Sequence, residues 1–220
     1  MDGFIRLQFT EKDSAQMLTA AETTFAEMKT RRTTRHFSDE TVPKRLIELA
    51  IECANTAPSG AHLQPWTFVV ISNQEMKQRI REAAEEEELK TYGERMPEAW
   101  AELLRPLGVD HVKEHITTAP WIVVVFKHNK RLRPNGEWGP TYYAGESVGI
   151  AAGMFITAIH RMGLCTLTHT PSPMGFLSEL LQRPEHESAV LLMPIGYPAK
   201  DAMVPDLKRK SLDDISVWFD

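Results

Sequence analysis

Residues 57–71 read Ala-Pro-Ser-Gly-Ala-His-Leu-Gln-Pro-Trp-Thr-Phe-Val-Val-Ile, a loop that runs directly into an apolar segment. Pro58 is typical of a rigid turn, and Gly60 allows backbone amides to come close to a ligand. The run Trp66–Ile71 is rich in β-branched and aromatic residues, which predicts a buried strand. A loop suited to a ligand therefore stands at the start of a core strand.

Helices are predicted on both sides of this strand. Pro43 suits the first turn of a helix, and apolar residues follow it at helical spacing: Leu46, Leu49, Ala50 and Cys53. A charged helix is predicted from about Gln74 to Glu88, and an earlier helical stretch includes Ala20–Met28. The strand is thus expected to pack between helices.

The second half of the chain repeats the alternation of strands and helices. Apolar strands are predicted at Trp121–Phe126, Leu164–Leu167 and Ala189–Ile195, with a short helix around Phe176–Leu181. A long, largely apolar helix is predicted from Tyr143 to Met162. This order of elements indicates a layered α/β or α+β fold.

Two features suggest contact with another chain. The long helix carries small residues that permit close approach of a second helix, namely Gly145, Gly149, Ala152 and Gly153, and Gly163 closes it. In the tail Ser211–Phe219, the residues Ile215, Val217 and Phe219 alternate with Ser216 and Trp218. This alternation predicts an edge strand, and such a tail strand often pairs with a neighbouring chain.

Composition restricts the class of protein. The 220 residues are 42% hydrophobic and 25% charged, which fits one globular domain over residues 1–220. A formal net charge of −5 argues against nucleic acid as the main partner. The first residues lack a basic stretch followed by an apolar one, and no apolar run reaches membrane-spanning length, so a soluble, cytoplasmic protein without a membrane partner is expected. The two cysteines, Cys53 and Cys165, show no metal-like or redox spacing and are expected to be buried, reduced thiols.

Neither a G-x-G-x-x-G sequence after a strand nor a P-loop sequence occurs, so a phosphate must be bound in another way. The candidate is Arg31-Arg32-Thr33-Thr34-Arg35, because guanidinium groups bind phosphate oxygens bidentately and two hydroxyls lie between them. A structural or solvated role for these residues is the alternative.

His111-Val112-Lys113-Glu114-His115 matches H-x-x-E-H, a zinc-binding pattern of some peptidases. A catalytic zinc also needs a third ligand, and no supporting motif supplies one. The segment is therefore interpreted as a polar helical surface before the strand at Trp121. The other histidines, namely His36, His62, His128, His160, His169 and His186, are scattered without ligand spacing.

Together, the Arg-rich segment, the following helix, the Ala57–Gly60 loop and Gln64-Pro65-Trp66 resemble the nitroreductase superfamily, which has these parts in this order. Further segments resemble its iodotyrosine deiodinase family: Thr168-His169-Thr170-Pro171, Arg183-Pro184, Pro194-Ile195-Gly196-Tyr197-Pro198 and Val204-Pro205-Asp206-Leu207-Lys208-Arg209-Lys210. The resemblance covers residues 28–220.

The resemblance implies an α+β fold in which helices surround a central mixed β-sheet. It also implies a domain-swapped homodimer, with the C-terminal tail of each chain reaching its partner and two FMN sites at the interface. The implied FMN-binding residues are Arg31, Arg32, Thr33, Thr34, Arg35, Pro58, Ser59, Gly60, Thr168, His169, Thr170 and Arg209. Of these, Thr170 is the implied catalytic residue, because its hydroxyl near flavin N5 would stabilise the semiquinone. The family's run of threonines is interrupted here by His169.

The implied reaction is FMN-dependent reductive dehalogenation of halogenated tyrosines, with NAD(P)H or a separate reductase as electron donor. Glu88, Tyr92 and Lys113 match the family's active-site lid, and the Ala61 amide is the implied contact of the substrate phenolate. Glu88 and Tyr92 are four residues apart and share a helix face. A carboxylate and an ammonium suit the two ends of a zwitterionic amino acid. Without the resemblance, the run Glu85–Glu88 would be interpreted as a solvated helix face.

Two other functions remain open on sequence grounds. One is a broad NAD(P)H nitroreductase or quinone reductase on the same fold, with a flavin face open to flat aromatic compounds. The other is a flavin-binding or sensing module without turnover, since a fold alone does not fix a function.

Overall fold

A computed structural model describes residues 3–219, without the side chain of Glu94. The chain divides into two compact units, residues up to Arg32 and residues from Thr33 onward. The first unit contains helix α1, Ser14–Thr30. Its first turn is held by a capping box, in which the Asp13 side chain accepts from the Gln16 amide and the Gln16 side chain accepts from the Asp13 amide.

The second unit is built on a four-stranded sheet with the strand order β1-β2-β6-β5. Its strands are β1 (Trp66–Ile71), β2 (Trp121–His128), β5 (Cys165–Thr166) and β6 (Glu187–Gly196), and a separate hairpin joins β3 (Lys130–Leu132) to β4 (Trp138–Pro140). The helices are α2 (Lys44–Ala54), α3 (Gln74–Lys90), α4 (Glu98–Leu104), α5 (Glu114–Thr118), α6 (Ala144–Arg161) and α7 (Gly175–Leu180). The predicted α+β class is confirmed.

The central strand β2 is buried on both faces. Val123 and Val125 pack with α2 and α6, whereas Ile122, Val124 and Phe126 pack with α3, α5 and α7. Two-sided burial explains why this segment is apolar without interruption, since alternate residues of a strand point to opposite faces. The sheet therefore lies between two helical layers, as the sequence predicted.

Except for the tail strand, the helices and strands predicted from hydrophobic pattern are present, with ends that differ by a few residues. The predicted burial of the cysteines was wrong for Cys53, which is exposed on α2, and Cys165 is only partly buried. The pairing of the strands differs from the expected mixed sheet, because β1, β2, β6 and β5 pair only antiparallel. The parallel component is a single bridge between Thr33 and Thr166. The segment that contains the arginines thus runs alongside β5 from Thr33 onward.

The tail differs from its prediction. Residues 211–219 form a turn followed by irregular chain, without the predicted strand, and Ile215, Val217 and Phe219 are exposed. A strand needs a hydrogen-bonding neighbour, and the described part of this chain offers none to the tail.

None of the helices among residues 3–219 combines the length and apolar character needed to cross a bilayer.

Candidate active site

A cavity of about 400 Å³ lies beside the C-terminal end of α3. The side chains that line it include Glu88 of α3, Tyr92 just after α3 and Lys113 just before α5. The loop after β5 contributes Thr168, His169 and Thr170, and the extended segment after Thr33 contributes Arg35. Sequence positions from Arg35 to Thr170 thus meet at one site within the second unit.

Helix α3 orients the acidic wall of this cavity. Asn73 caps the start of the helix, because its side chain accepts from the Met76 amide at 2.8 Å, and the helix changes to a wider turn over Thr91–Arg95. Glu88 faces inward with 12% of its side chain exposed, whereas Glu86 is 69% exposed. The solvated-face interpretation therefore holds for Glu86, whereas Glu88, which the resemblance singled out, is turned into the cavity.

The carboxylate of Glu88 contacts two side chains at once, a lysine and a histidine. The Lys113 ammonium lies 2.9 Å from Oε2 of Glu88, and Nε2 of His169 lies 2.7 Å from Oε1. The Lys113 ammonium also donates to the carbonyl of Asp110, and its side chain is 6% exposed. A buried pair of this kind is costly to break on one side only, because the remaining charge loses its partner.

Glu85 fixes the backbone of Lys113. Its Oε1 accepts from the Lys113 amide at 2.7 Å and from the Arg81 guanidinium at 2.7 Å. The sequence interpretation assigned Glu85 to a solvated helix face. This was wrong, because the Glu85 carboxylate accepts a hydrogen bond from the backbone amide of Lys113, 28 residues further along the chain. Glu85 therefore helps to hold Lys113 across from Glu88.

The cavity shifts several pKa values. Burial raises the pKa of Glu88, but the hydrogen bonds from His169 and Lys113 outweigh it and the net pKa is lowered. Burial, with the negative charge and hydrogen bond of Glu88, raises the pKa of Tyr92 to about 12, so its hydroxyl remains a donor. Burial lowers the pKa of Arg35, while Tyr92 and Glu88 act in the opposite direction.

Apart from the loop Pro58–Gly60, the predicted flavin-binding residues fall into three groups. Arg35, Thr168, His169 and Thr170 line the cavity. Thr33 is partly buried beside β5, and Thr34 is buried, with 4% of the residue exposed. Arg31 and Arg32 end the first unit, where the Arg31 amide closes α1, and Arg209 lies in the exposed chain ahead of the tail.

The loop Pro58–Ala61 has a strained backbone and is not among the described residues that line the cavity. Ala61 has φ 51°, a left-handed conformation that is unusual for a residue with a Cβ and that tends to occur at functional sites. The Gly60 amide donates to the Ser147 hydroxyl at 3.3 Å, and a Cβ at Gly60 would lie 2.7 Å from the carbonyl oxygen of Tyr142. Only glycine therefore fits there without a shift of α6 or the loop.

The H-x-x-E-H segment is only in part the polar surface that the sequence predicted, because three of its five residues are exposed and the other two, Lys113 and His115, are buried. His115 is 6% exposed and packs edge-on against His169, with 5.6 Å between the ring centroids. No cluster of three metal-ligating side chains occurs among the residues that the structure describes. The buried Ile116 and the adjoining strand were the signal that this segment enters the core.

The burial of His115 predicts a pH-dependent stability. Burial, followed by the charges of His169, Lys113 and Arg35, lowers its pKa from 6.5 to about 3. The unfolded chain therefore takes up the proton first as the pH falls, and the free energy of unfolding decreases from about pH 6.5 downward by up to ~1.4 kcal/mol per pH unit. We expect His115→Gln to flatten this dependence in urea unfolding between about pH 5 and pH 7.

His128 provides the reference in that experiment. Burial also lowers its pKa, so it contributes a slope of the same sign in both the parent protein and the variant. An unchanged slope in His115→Gln would show that His115 is not the buried titrating group.

Comparison with known proteins identifies the family of the chain. Residues 28–197 match the model of the nitroreductase family. The iodotyrosine deiodinase of Haliscomenobacter hydrossis is 48% identical over 98% of this chain and 97% of its own length. Human iodotyrosine deiodinase 1 is 42% identical over 92% of this chain and 70% of its own length.

A solved structure is also similar. The crystal structure of oxidised iodotyrosine deiodinase bound to FMN and 3-iodo-L-tyrosine superposes with a TM-score of 0.77 at 26% identity, covering 89% of this chain and all of that one. The chain belongs to the nitroreductase family. Within that family, its relatives at 40–48% identity include iodotyrosine deiodinases from a bacterium and from animals.

Proposed function

We propose that the protein is an FMN-dependent reductive dehalogenase of halogenated tyrosines such as 3-iodo-L-tyrosine, releasing halide and tyrosine. The observation that carries the proposal is the buried Glu88–Lys113 ion pair inside a cavity that also presents Thr168 and Thr170. A neutral aromatic substrate needs no such pair, whereas the two ends of a free amino acid need both charges.

Substrate binding would exchange the partners of this ion pair. The substrate ammonium takes the place of Lys113 at Glu88, and the released Lys113 binds the substrate carboxylate. Tyr92 adds a neutral hydroxyl donor, because its raised pKa keeps the phenol protonated. Since charge is neutralised before and after the exchange, the buried groups are not left unpaired at either stage.

The residues of the cavity suit FMN. Arg35 supplies a cation, and the exposed hydroxyls of Thr168 and Thr170 supply hydrogen-bond donors in the same cavity. Arg31, Arg32, Thr33 and Arg209 are the further candidates for the phosphate and ribityl chain. When bound, FMN supplies the two electrons that, with one proton, replace the halogen by hydrogen and release it as halide.

The substrate phenolate is assigned to the amide of Ala61. Ala61 has the left-handed backbone that tends to occur at ligand-contacting positions. Because Pro58–Ala61 does not line the cavity of its own chain, we assign the completion of each site to the same loop of a partner chain. The active form is then a homodimer, in agreement with the apolar residues exposed on α6 and in the tail, such as Ile150, Val217 and Phe219.

NAD(P)H or a separate reductase is the proposed electron donor, and the cytoplasm is the proposed location. The test of the function is to release the flavin by heat, identify it, and titrate the oxidised protein with 3-iodo-L-tyrosine by flavin fluorescence. We expect FMN, saturable quenching, and release of iodide once a chemical reductant is added. Released FAD, or an FMN protein that reduces nitroaromatics while ignoring iodotyrosine, would refute the proposal.

Thr170 is expected to act on the flavin. Its exposed side chain lies in the cavity, two residues beyond Thr168. We expect Thr170→Ala to slow iodide release about ten- to hundredfold, the size of one lost hydrogen bond to a charged group, and to decrease the absorbance of one-electron-reduced flavin. Thr170→Ser keeps the hydroxyl and should restore both measurements; equal activity of all three proteins would mean that another hydroxyl has this role.

A further inference from the structure

His169 contacts Glu88 from the side opposite Lys113. Its Nε2 lies 2.7 Å from Oε1 of Glu88, whereas Lys113 binds Oε2. The side chain of His169 is 9% exposed. The two oxygens of Glu88 therefore have separate partners, of which one comes from the α5 side of the cavity and the other from the loop after β5.

The backbone of His169 is fixed in the sheet. Its amide donates to the carbonyl of Leu192 at 2.9 Å, and the amide of Leu192 donates to the carbonyl of His169 at 2.9 Å. Leu192 belongs to β6 and is fully buried. Thr168 and Thr170, on either side of His169, are exposed to the cavity. His169 thus joins a rigid strand, the proposed flavin-contacting hydroxyls and the carboxylate of Glu88.

The orientation of the ring defines its role as a donor. Nδ1 of His169 is buried and has no hydrogen-bond partner among the described residues. The ring edge packs against the ring of His115. A proton on Nε2 serves the contact with the Glu88 carboxylate, which is an acceptor only, and a proton on Nδ1 would leave a buried donor unsatisfied.

We propose that His169 is a positioning residue that holds Glu88 in place for the substrate ammonium when Lys113 moves to the substrate carboxylate. The inference rests on the proposed function. Lys113 leaves Glu88 during the exchange, so the contact with His169 is the one that persists in both states. The same side chain ties the lid helix α3 to the loop that carries Thr170, and a bound amino acid is thereby placed at a fixed distance from the flavin-contacting hydroxyl.

Two variants with side chains of similar length separate the positioning role of His169 from simple packing. His169→Gln keeps an amide donor that can reach Glu88, and His169→Met fills the space without a donor. The FMN-loaded protein is titrated with 3-iodo-L-tyrosine and with 2-iodophenol, which has the halogenated ring but no zwitterion. The ratio of the two dissociation constants is the readout, together with the melting temperature of each holoprotein.

We expect His169→Met to weaken 3-iodo-L-tyrosine binding about tenfold, the effect of one charge-assisted hydrogen bond, with little change for 2-iodophenol. His169→Gln should bind 3-iodo-L-tyrosine within about threefold of the parent protein. Equal affinities of the Gln and Met variants for both ligands would overturn the inference, and so would parallel losses for both ligands. If the parent protein itself fails to bind 3-iodo-L-tyrosine, the proposed function fails instead.

Discussion

Glu88→Gln and Lys113→Met are each expected to weaken the binding of 3-iodo-L-tyrosine roughly thirty- to thousandfold without loss of FMN. Removing one partner of a charge-assisted contact in a site shielded from water costs about 2–4 kcal/mol, which gives this range of affinity. The side chains are 12% and 6% exposed, so water compensates little for the lost partner. Flavin fluorescence titration measures the affinity, and the ratio of flavin to protein absorbance measures the FMN content.

The double variant provides a second, sharper expectation. Each single substitution leaves one buried charge without its ion-pair partner, whereas Glu88→Gln with Lys113→Met removes both charges together. The double variant should therefore lose less affinity than the sum of the single effects, and it should be no less stable than either single variant. Strict additivity would mean that the two groups act independently, contrary to their 2.9 Å separation.

Glu86→Gln is the matched control on the same helix. Glu86 lies two residues before Glu88, is 69% exposed, and pairs with Lys90 at the surface. A surface pair of this kind contributes little to stability, so binding and FMN content should stay at the parent values. If iodotyrosine turnover survives both Glu88→Gln and Lys113→Met, the lid assignment is wrong, and a broad nitroreductase becomes the better description.

The fold was largely accessible from sequence because its determinants are local. Strand β1 was predicted with its observed limits, and α6 differed by one residue at each end. The short β-branched and aromatic run of β1 and the long apolar segment of α6 are each typical of the element that they form. The pairing of the strands was less accessible, because hydrophobic pattern shows which residues are buried but not in which direction the neighbouring strand runs.

The candidate site was accessible only in part. The positions of Glu88, Tyr92 and Lys113 came from family resemblance, and the structure brings them to one cavity. The contact between His169 and Glu88 was missed, because these residues are 81 positions apart and no local pattern relates them. His115 was misassigned to a surface because H-x-x-E-H looks polar, whereas its burial is decided by the strand and helix that pack over it. Side-chain contacts between distant elements are set by tertiary packing, which the sequence pattern does not encode.

The tail shows a further limit of prediction from the sequence of one chain. Its alternation of apolar residues predicts a strand, yet the single chain leaves these side chains exposed. The pattern is consistent with the proposed dimer, where a partner chain would supply the missing neighbour. The glycines of α6 support the same proposal, since Gly145, Gly149 and Gly153 are exposed at four-residue spacing along one stripe.

Gly149→Leu tests this interface, because the substitution should stabilise a single chain but weaken a dimer that packs through α6. A Cβ at Gly149 meets no other atom within 4 Å in the single chain, and leucine favours a helix over glycine by roughly 0.5–1 kcal/mol. Without a partner at this stripe, the variant should therefore be more stable and otherwise unchanged. If α6 packs against its copy in a two-fold dimer, two leucines enter one interface and cost roughly 2–6 kcal/mol, or about a thirtyfold to twenty-five-thousandfold weaker dimer.

We expect the second result, with FMN content decreasing as the dimer dissociates, because the partner's loop would complete each site. Sedimentation at several protein concentrations measures the dissociation, and the flavin-to-protein ratio is recorded on the same samples. Gly149→Ala adds one methyl group at the same position and should fall between the parent protein and Gly149→Leu. A stabilised Gly149→Leu protein with unchanged mass and full FMN would place the dimer interface elsewhere, or show that the FMN site is complete within one chain.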